Sequence, residues 1–332
     1  MSELVAQPWM HDPAPGFLPT SRQSGLPCGS CLAAPALTIG LAECDLRPAL
    51  NSMMSQETPL ANRTGFIDAA GRVHDPAGPD ARIACFVPSI TELAIDLGLA
   101  DRLVARTQYC IHPADTVGDI PAIGGTKKVS VPKLKALKPT HAILNIDENT
   151  REMDAALRDF VPNVIVTHPN APSDVPALIR LIGGIFGRPE AAEAMCDAFE
   201  TALEDLRSDA AELPARRVCY FCWKDPWMTV SRDTYISQSL ALINWQTLGH
   251  RDDTRYPEVT VDEALIGNAD LFLFSSEPYA FTAQHARDFA AVHDIPSSRC
   301  LMIDGEYTSW YGSRAIAAMA YLRDVAHAQL RA

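Results

Sequence analysis

The sequence predicts an α/β protein of two lobes, each with a parallel sheet, joined by one long α-helix, with a ligand cleft between the lobes. Three observations predict it. Short apolar runs alternate with amphipathic helical stretches twice along the chain, the pattern of parallel strands covered on both faces. Between the two series lies one amphipathic stretch from Pro189 to about Ala211. At about 1.5 Å per residue its 23 or so residues make a rod of roughly 35 Å, longer than its neighbours. Aromatic residues gather where the strands end, in both halves.

The bulk numbers fit this class. At 332 residues, 47% hydrophobic and 21% charged, the composition is ordinary for a globular chain with room for more than one domain. A net charge of -13 excludes a phosphate-tracking nucleic-acid binder, which needs a basic surface, and an anionic membrane surface as partner. No apolar run reaches the roughly 18 residues of a membrane span. Leu26 to Cys44 has the length of a signal-peptide core, and its terminal Cys recurs at lipoprotein sites. However, Glu43 stands where a small residue is wanted, and Arg22 faces Glu3 and Asp12 in the leader.

Taken in order, residues 1–80 read as an extension rich in Pro, Gly, Ser and Ala, with one short helix near Ala34 to Asn51 and a hairpin at Phe66 to Pro76. Residues 81–172 form lobe one. "RIACFVP" is its first strand, and Ser89 with Glu92 three residues on reads as a capping box opening "ITELAIDLGL". Strand "RLVARTQY", helix "VPKLKAL", strand "HAILN", helix "TREMDAALRDF" and strand "NVIVTH" follow. Residues 173–213 hold "DVPALIRLIGGIF", stopped by Gly187, and then the long helix, with Pro189 at its favoured first position. Ala192, Met195, Phe199, Ala202, Leu203 and Leu206 make its apolar stripe. Residues 214–332 form lobe two: strand "RVCYFCW", helices "TYISQSLALINW" and "VTVDEALIG", strand "LFLFS", helix "AQHARDFAAV", strand "CLMID", and a last helix from about Ser313 to Leu330. The lobes are therefore Rossmann-like in their alternation, but no Gly-rich phosphate loop, nucleophile elbow or kinase signature is present.

In such sheets ligands bind beyond the carboxyl ends of the strands. Those ends carry Tyr109, Cys110 and His112 in "YCIHP", Glu148 in "IDEN", Trp223 and Trp227 in "WKDPW", Tyr256 in "RYPEV", Tyr279 in "SSEPY", and Glu306, Tyr307, Trp310, Tyr311 and Arg314 in "DGEYTSWYGSR". Rings converging from two lobes suit a cleft that stacks on a flat ligand. Cys110 and His112 alternate as neighbours on one face of a strand would. A thiolate and an imidazole suit zinc, cobalt or iron, with Glu148, Glu306 or the ligand completing the set. The alternative is a buried thiol beside a turn histidine. The nine cysteines leave at least one unpaired in a monomer. Cys28, Cys31 and Cys44 have knuckle-like spacing. Cys219 and Cys222 sit in a strand and point to opposite faces, so they cannot hold one ion.

This arrangement resembles the substrate-binding proteins with a helical backbone, over about Arg82 to Ala332. "RIACFVPSITELAIDLGL", "YCIHPAD", "IPAIGGTKK", "LKALKPTHAILN", the helix from Pro189, and "RYPEV" before "ALIGNADLFLF" carry the resemblance, which is strongest to the cobalamin-binding branch. It implies a small-molecule ligand between rigid lobes, delivery to an ABC permease, no intrinsic cofactor and no enzymatic activity. Haem or a ferric siderophore is the alternative ligand, and a metal-dependent enzyme using Cys110 and His112 the remote one. The docking members of the family carry an acid at the tip of each lobe. In lobe two that is Asp262, with Glu263 beside it. In lobe one the position is Pro132, among Lys127, Lys128, Lys133 and Lys135. This departure and the poor leader favour a cytoplasmic location slightly over a periplasmic one.

Overall fold

The computed structural model describes residues 65–330. The helix expected near Ala34 to Asn51 and the cysteines Cys28, Cys31 and Cys44 lie outside the described residues. The chain enters through an antiparallel hairpin of β1 (Phe66–Ile67) and β2 (Val73–His74). Gly71 takes the left-handed turn at φ 75°, where a side chain is disfavoured. Asp68 ties the hairpin together. Its carboxylate accepts from Ala70 N and Arg72 N, both at 2.9 Å, meets His74 Nε2 at 3.0 Å, and takes Val166 N at 3.0 Å. The hairpin is thereby fastened to the edge of lobe one.

Lobe one runs β3 (Ile83–Cys85), α1 (Pro88–Asp96), β4 (Leu103–Ala105), α2 (Ala114–Val117), α3 (Val131–Ala136), β5 (His141–Asn145), α4 (Arg151–Arg158) and β6 (Asn163–Thr167). Its strands are parallel in the order β4-β3-β5-β6. Every residue of β5 is buried, which is why "HAILN" is apolar without alternation. Then come α5 (Val175–Ile185), stopped by Gly187 at φ 69°, and α6 (Pro189–Ala210), 22 residues with Pro at its start.

Lobe two runs β7 (Arg216–Phe221), α7 (Tyr235–Ala241), β8 (Trp245–Thr247), α8 (Glu263–Asn268), β9 (Leu271–Ser275), α9 (Ala283–Val292), β10 (Cys300–Ile303), α10 (Gly305–Ser309) and α11 (Arg314–Ala328). Its parallel sheet has the order β10-β9-β7-β8. Read from the other edge, this is the strand order of lobe one: second, first, third, fourth.

One apolar cluster runs through both lobes. It includes Ile83 and Cys85 of β3, Ile179 and Ile182 of α5, the α6 stripe of Ala192, Cys196, Phe199, Leu203, Leu206 and Ala210, and Val218 and Tyr220 of β7. Cys196 replaces the expected Met195 and Ala202 as the fully buried member, the latter two being only partly covered. The far faces of the sheets pack separately: Ala84, Phe86 and Leu144 in lobe one, and Cys219, Phe221, Phe272, Phe274 and Phe289 in lobe two. Cys219 and Cys222 fall in different clusters, as the strand period requires.

Four local expectations are corrected. The capping box at Ser89 does not form: Val87 is the N-cap, Pro88 opens α1, Ser89 Oγ is buried without a partner, and Glu92 pairs with Arg314 instead. The strand expected through Tyr109 stops at Ala105, and Cys110 N donates to Thr107 O at 3.2 Å in a turn. Trp245 is not the end of a helix but the start of β8. The stretch between "CLMID" and the last helix, to which no element was assigned, holds the single turn α10, capped by Asp304 accepting from Glu306 N at 2.9 Å.

Candidate ligand site between the lobes

The strand ends of the two lobes meet, and the meeting is polar. Beyond β5, Asn149 fixes the turn. Its amide donates to Phe86 O at 3.2 Å and Thr126 O at 2.7 Å, while its carbonyl accepts from Asn145 N at 2.8 Å. That turn presents Asp147 and Glu148 to lobe two. Arg255 Nη2 donates to Asp147 Oδ2 and to Asn170 Oδ1, each at 2.8 Å, and His168 Nε2 stands 3.4 Å from Asp147 Oδ1. Burial opposes ionisation of Asp147, but His168 and Arg255 outweigh it and hold the carboxyl at about 2. Tyr311 OH donates to Glu148 Oε1 at 2.7 Å. Burial dominates at Glu148 and raises it to about 7 in spite of Tyr311 and Lys127. Burial also lowers Lys127 to about 8 against the pull of Glu148 and Asp147.

A second set closes over the end of α10. Arg314 at the start of α11 grips Glu92 of α1 through two bonds of 2.6 and 2.9 Å, and its Nη1 lies 3.0 Å from Glu306 Oε2. The same guanidinium lies over the Trp310 ring at 4.9 Å and the Tyr307 ring at 5.8 Å. Glu306 Oε1 meets His112 Nε2 of lobe one at 3.0 Å, and the Trp310 ring stands edge-on to the imidazole at 5.5 Å. Trp310 Nε1 donates to Glu277 Oε1 at 2.6 Å, and burial raises that carboxyl.

These contacts gather the residues in two adjoining sets where the lobes meet, Glu148, Tyr256 and Tyr311 in one and His112, Glu306, Trp310 and Arg314 in the other, with Tyr256 in the first through its hydroxyl 3.5 Å from Asp147. Tyr109 is 43% exposed on the loop that carries His112, and a Cβ at Gly125 would stand 3.3 Å from its ring. Trp223 sits at a turn and meets Tyr279 edge-on at 5.4 Å. Trp227 turns into lobe two, stacked on Phe281 at 5.9 Å and tilted on Phe221 at 4.6 Å. Tyr307 stacks on Tyr321 at 4.9 Å. Cys110 is wholly buried, whereas the His112 side chain is 31% exposed. Its thiol is fully buried between the Thr91 and Thr107 hydroxyls, 3.2 Å from each, and burial pushes its pKa up. Among the described residues no group of three or more His, Cys, Asp and Glu is placed to hold a metal ion. Asp262 and Glu263 are exposed at the start of α8, with the Asp262 carboxylate accepting from Leu265 N at 2.8 Å.

Sequence reasoning missed Asp147, His168, Asn170 and Glu92, and it counted Glu277 among the strand-end acids without giving it a place in the site. Asp147 follows strand β5 and was open to the strand-end rule. His168 and Asn170 lie just past β6, whose end carries no aromatic to draw notice. Glu92 was hidden by the capping-box reading.

The chain matches the periplasmic binding protein family over residues 83–289. It is 23% identical over 208 residues to the vitamin B12-binding protein of Vibrio cholerae serotype O1, covering 63% of this chain and 72% of the relative. The fold matches the crystal structure of the periplasmic vitamin B12-binding protein BtuF of Vibrio cholerae with a TM-score of 0.65 at 19% identity, covering 76% of this chain and 99% of that one. It matches the periplasmic haem-binding protein RhuT of Roseiflexus sp. RS-1 with the same TM-score of 0.65 at 18% identity, covering 75% and 99%. Relatives described as periplasmic give no support to the cytoplasmic expectation. No helix among the described residues is long and apolar enough to cross a membrane. With more than half of its length matched, two parallel-stranded lobes and an α6 backbone between them, the chain belongs to the periplasmic binding protein family.

Proposed function

We propose that the chain binds a cobalamin-type corrinoid between its lobes and acts as a substrate-binding protein, not an enzyme. The observation that carries the choice of ligand is the state of the cleft arginines. Arg255 is engaged by Asp147, Asp233 and Asn170, and Arg314 by Glu92 and Glu306. The Arg314 guanidinium is fully taken up by carboxylates, and the charge of Arg255 is met by Asp147 and Asp233, with only its buried Nε left without a partner among the described residues. Haem propionates and ferric siderophores are anionic and call for open cations. A corrinoid rim of uncharged amides calls for hydrogen-bonding groups and aromatic faces, which Glu148, Glu277, Tyr311, Tyr109 and Trp223 supply. The relatives named for vitamin B12 support the same reading.

Titration of the purified chain with cyanocobalamin and, separately, hemin tests it. Saturable binding of cyanocobalamin with weaker hemin binding is the expected result. Tight hemin binding with no cyanocobalamin binding would transfer the site to haem, the reading supported by the haem-binding neighbour.

A further inference from the structure

We propose that the end of lobe one around α3 is a docking surface for a protein partner that is acidic where it touches this chain. The inference does not depend on which ligand the cleft takes. Five of the chain's six lysines fall within twelve residues, Lys127 to Lys138, while its 22 arginines are spread over the rest of the sequence. No Asp or Glu stands between Asp119 and Asp147, in a chain of net charge -13. Lys127 is engaged, its Nζ donating to Asp147 O at 3.1 Å. Lys128, Lys133, Lys135 and Lys138 are exposed, and among the described residues none of the four is in an ion pair. Elsewhere exposed cations are spent on neighbours, as Arg180 is on Glu193, Arg217 on Asp270 and Arg251 on Asp253. The equivalent end of lobe two, at the start of α8, presents exposed Asp262 and Glu263. The positive charge therefore belongs to lobe one and is not imposed by the repeated architecture.

The backbone that carries these lysines is fixed. Gly125 N donates to Lys128 O at 2.9 Å and Ser130 N to Ile123 O at 2.8 Å. A Cβ at Gly124 would stand 2.5 Å from Lys128 O, and the residue sits at φ 144°, so the tight loop needs glycine there. The Asn149 amide holds the same loop at Thr126 O, 2.7 Å away. Leu134 pins α3 to the core, and Arg82 closes its far end by donating to Leu137 O at 2.8 and 3.1 Å. Plainer explanations account for less. Cations near a helix C-terminus offset its dipole, but Lys128 precedes the helix. A face that serves only solubility mixes both signs. An anionic membrane would meet the rest of an acidic chain along with the patch, and among the described residues no exposed large apolar side chain lies between positions 121 and 140 to enter it. Lysine offers a compact charge with no fork geometry, so the patch steers and orients rather than grips. A carboxylate-bearing protein surface of small extent answers it.

The test uses ligand-free full-length protein and a fluorescein-labelled glutamate homopeptide of about ten residues, long enough to span the patch. Wild type should bind it at low salt and lose about 10-fold in affinity by about 0.15 M, as screening shortens the reach of the charges. Lys128→Glu with Lys133→Glu should weaken low-salt binding by about 10-fold. Arg207→Glu with Arg287→Glu makes the same change in net charge at exposed positions of α6 and α9 and should leave binding within about 2-fold. Both variants should melt where wild type does. If the lysine reversal lowers the melting temperature, Lys128→Gln with Lys133→Gln takes its place, with an expected loss of about 3-fold. Failure of wild type to bind the peptide, or an equal loss in the arginine variant, overturns the proposal and leaves the reading of the cleft untouched. Sedimentation of wild type with phosphatidylglycerol vesicles, lost in the lysine variant, would make the patch a lipid contact and overturn it as well.

Discussion

Trp223 and Trp227 lie four residues apart on one tight turn, closed by Met228 N donating to Trp223 O at 3.1 Å, and they serve different ends. Trp227 packs among Phe221, Phe274, Phe281 and Phe289, all with ring centroids within 6.3 Å. It is part of the lobe-two core rather than a free face for stacking. Trp227→Ala should therefore destabilise the fold by about 3 kcal/mol, at the low end for a large aromatic because the ring is partly covered, with ligand affinity little changed. Trp223→Ala should do the reverse, costing on the order of 1 kcal/mol of binding and little stability. Denaturant unfolding and ligand titration of the two variants separate these. Affinity lost in Trp227→Ala with its unfolding midpoint unmoved would return that ring to the site. The difference was invisible in the sequence, because both residues read as rings at a strand end. Only the partners supplied by β9 and α9, distant in sequence, decide which way each ring turns.

At the scale of elements, long periodic features were legible and short ones were not. The stripe of α6 repeats over six turns and its Pro189 start is a local rule, so the helix was readable to within a residue. β8 has three residues, too few for a period, and Trp245 continues the apolar pattern of α7. The loop after β4 was misread because alternation of Cys110 and His112 looks the same on a strand and in a turn. The hydrogen bonds that make it a turn come from Thr107 and Thr91. β5 yields a prediction of its own. His141 begins the strand buried, and burial, then nearby His74, lowers its pKa from 6.5 to about 4. The folded value is below the unfolded one, so the fold refuses a proton that the unfolded chain accepts. The stability that neutral His141 brings is complete above about pH 6.5 and is lost as pH falls toward 4. Melting temperature should thus drop more steeply over that window in wild type than in His141→Gln. Equal slopes would show that His141 does not control the acid limb. Asp147, held at about 2, loses its contribution only at lower pH and does not confuse the comparison.

At the scale of the whole molecule, a continuous core runs through α5, α6 and both lobes, and only short connections, residues 186–188 and 211–215, stand at the junction to absorb a φ/ψ change. Free and ligand-bound forms should accordingly differ by small lobe shifts, and a large lobe rotation in solution scattering or crystals would refute this. A rigid body fixes the distance between its two tips, so their charges matter together. The corresponding helices α3 and α8 precede the third strand of each sheet. The exposed residues around α3 include Pro132, Lys128, Lys133, Lys135 and Lys138, and none of the exposed residues there is acidic, whereas α8 opens on exposed Asp262 and Glu263. If the chain delivers its ligand to an ABC permease that offers arginines to both lobes, the lobe-two contact is attractive and the lobe-one contact repulsive, and like charges across an interface slow association and cost affinity. Rigidity prevents the protein from yielding at one tip to improve the other. Association with a vitamin B12-type permease in nanodiscs should then be weak and should rise when Pro132→Glu is combined with Lys133→Glu. Added salt should weaken the attraction at lobe two while it relieves the repulsion at lobe one, since screening over about 10 Å at 0.1 M acts on both, so association of wild type should depend little on salt. The charge-reversed variant should instead bind best at low salt. Tight docking of wild type at low salt, weakened by the reversal, would show that the partner is acidic where it meets α3, and that the lysines are its recognition surface.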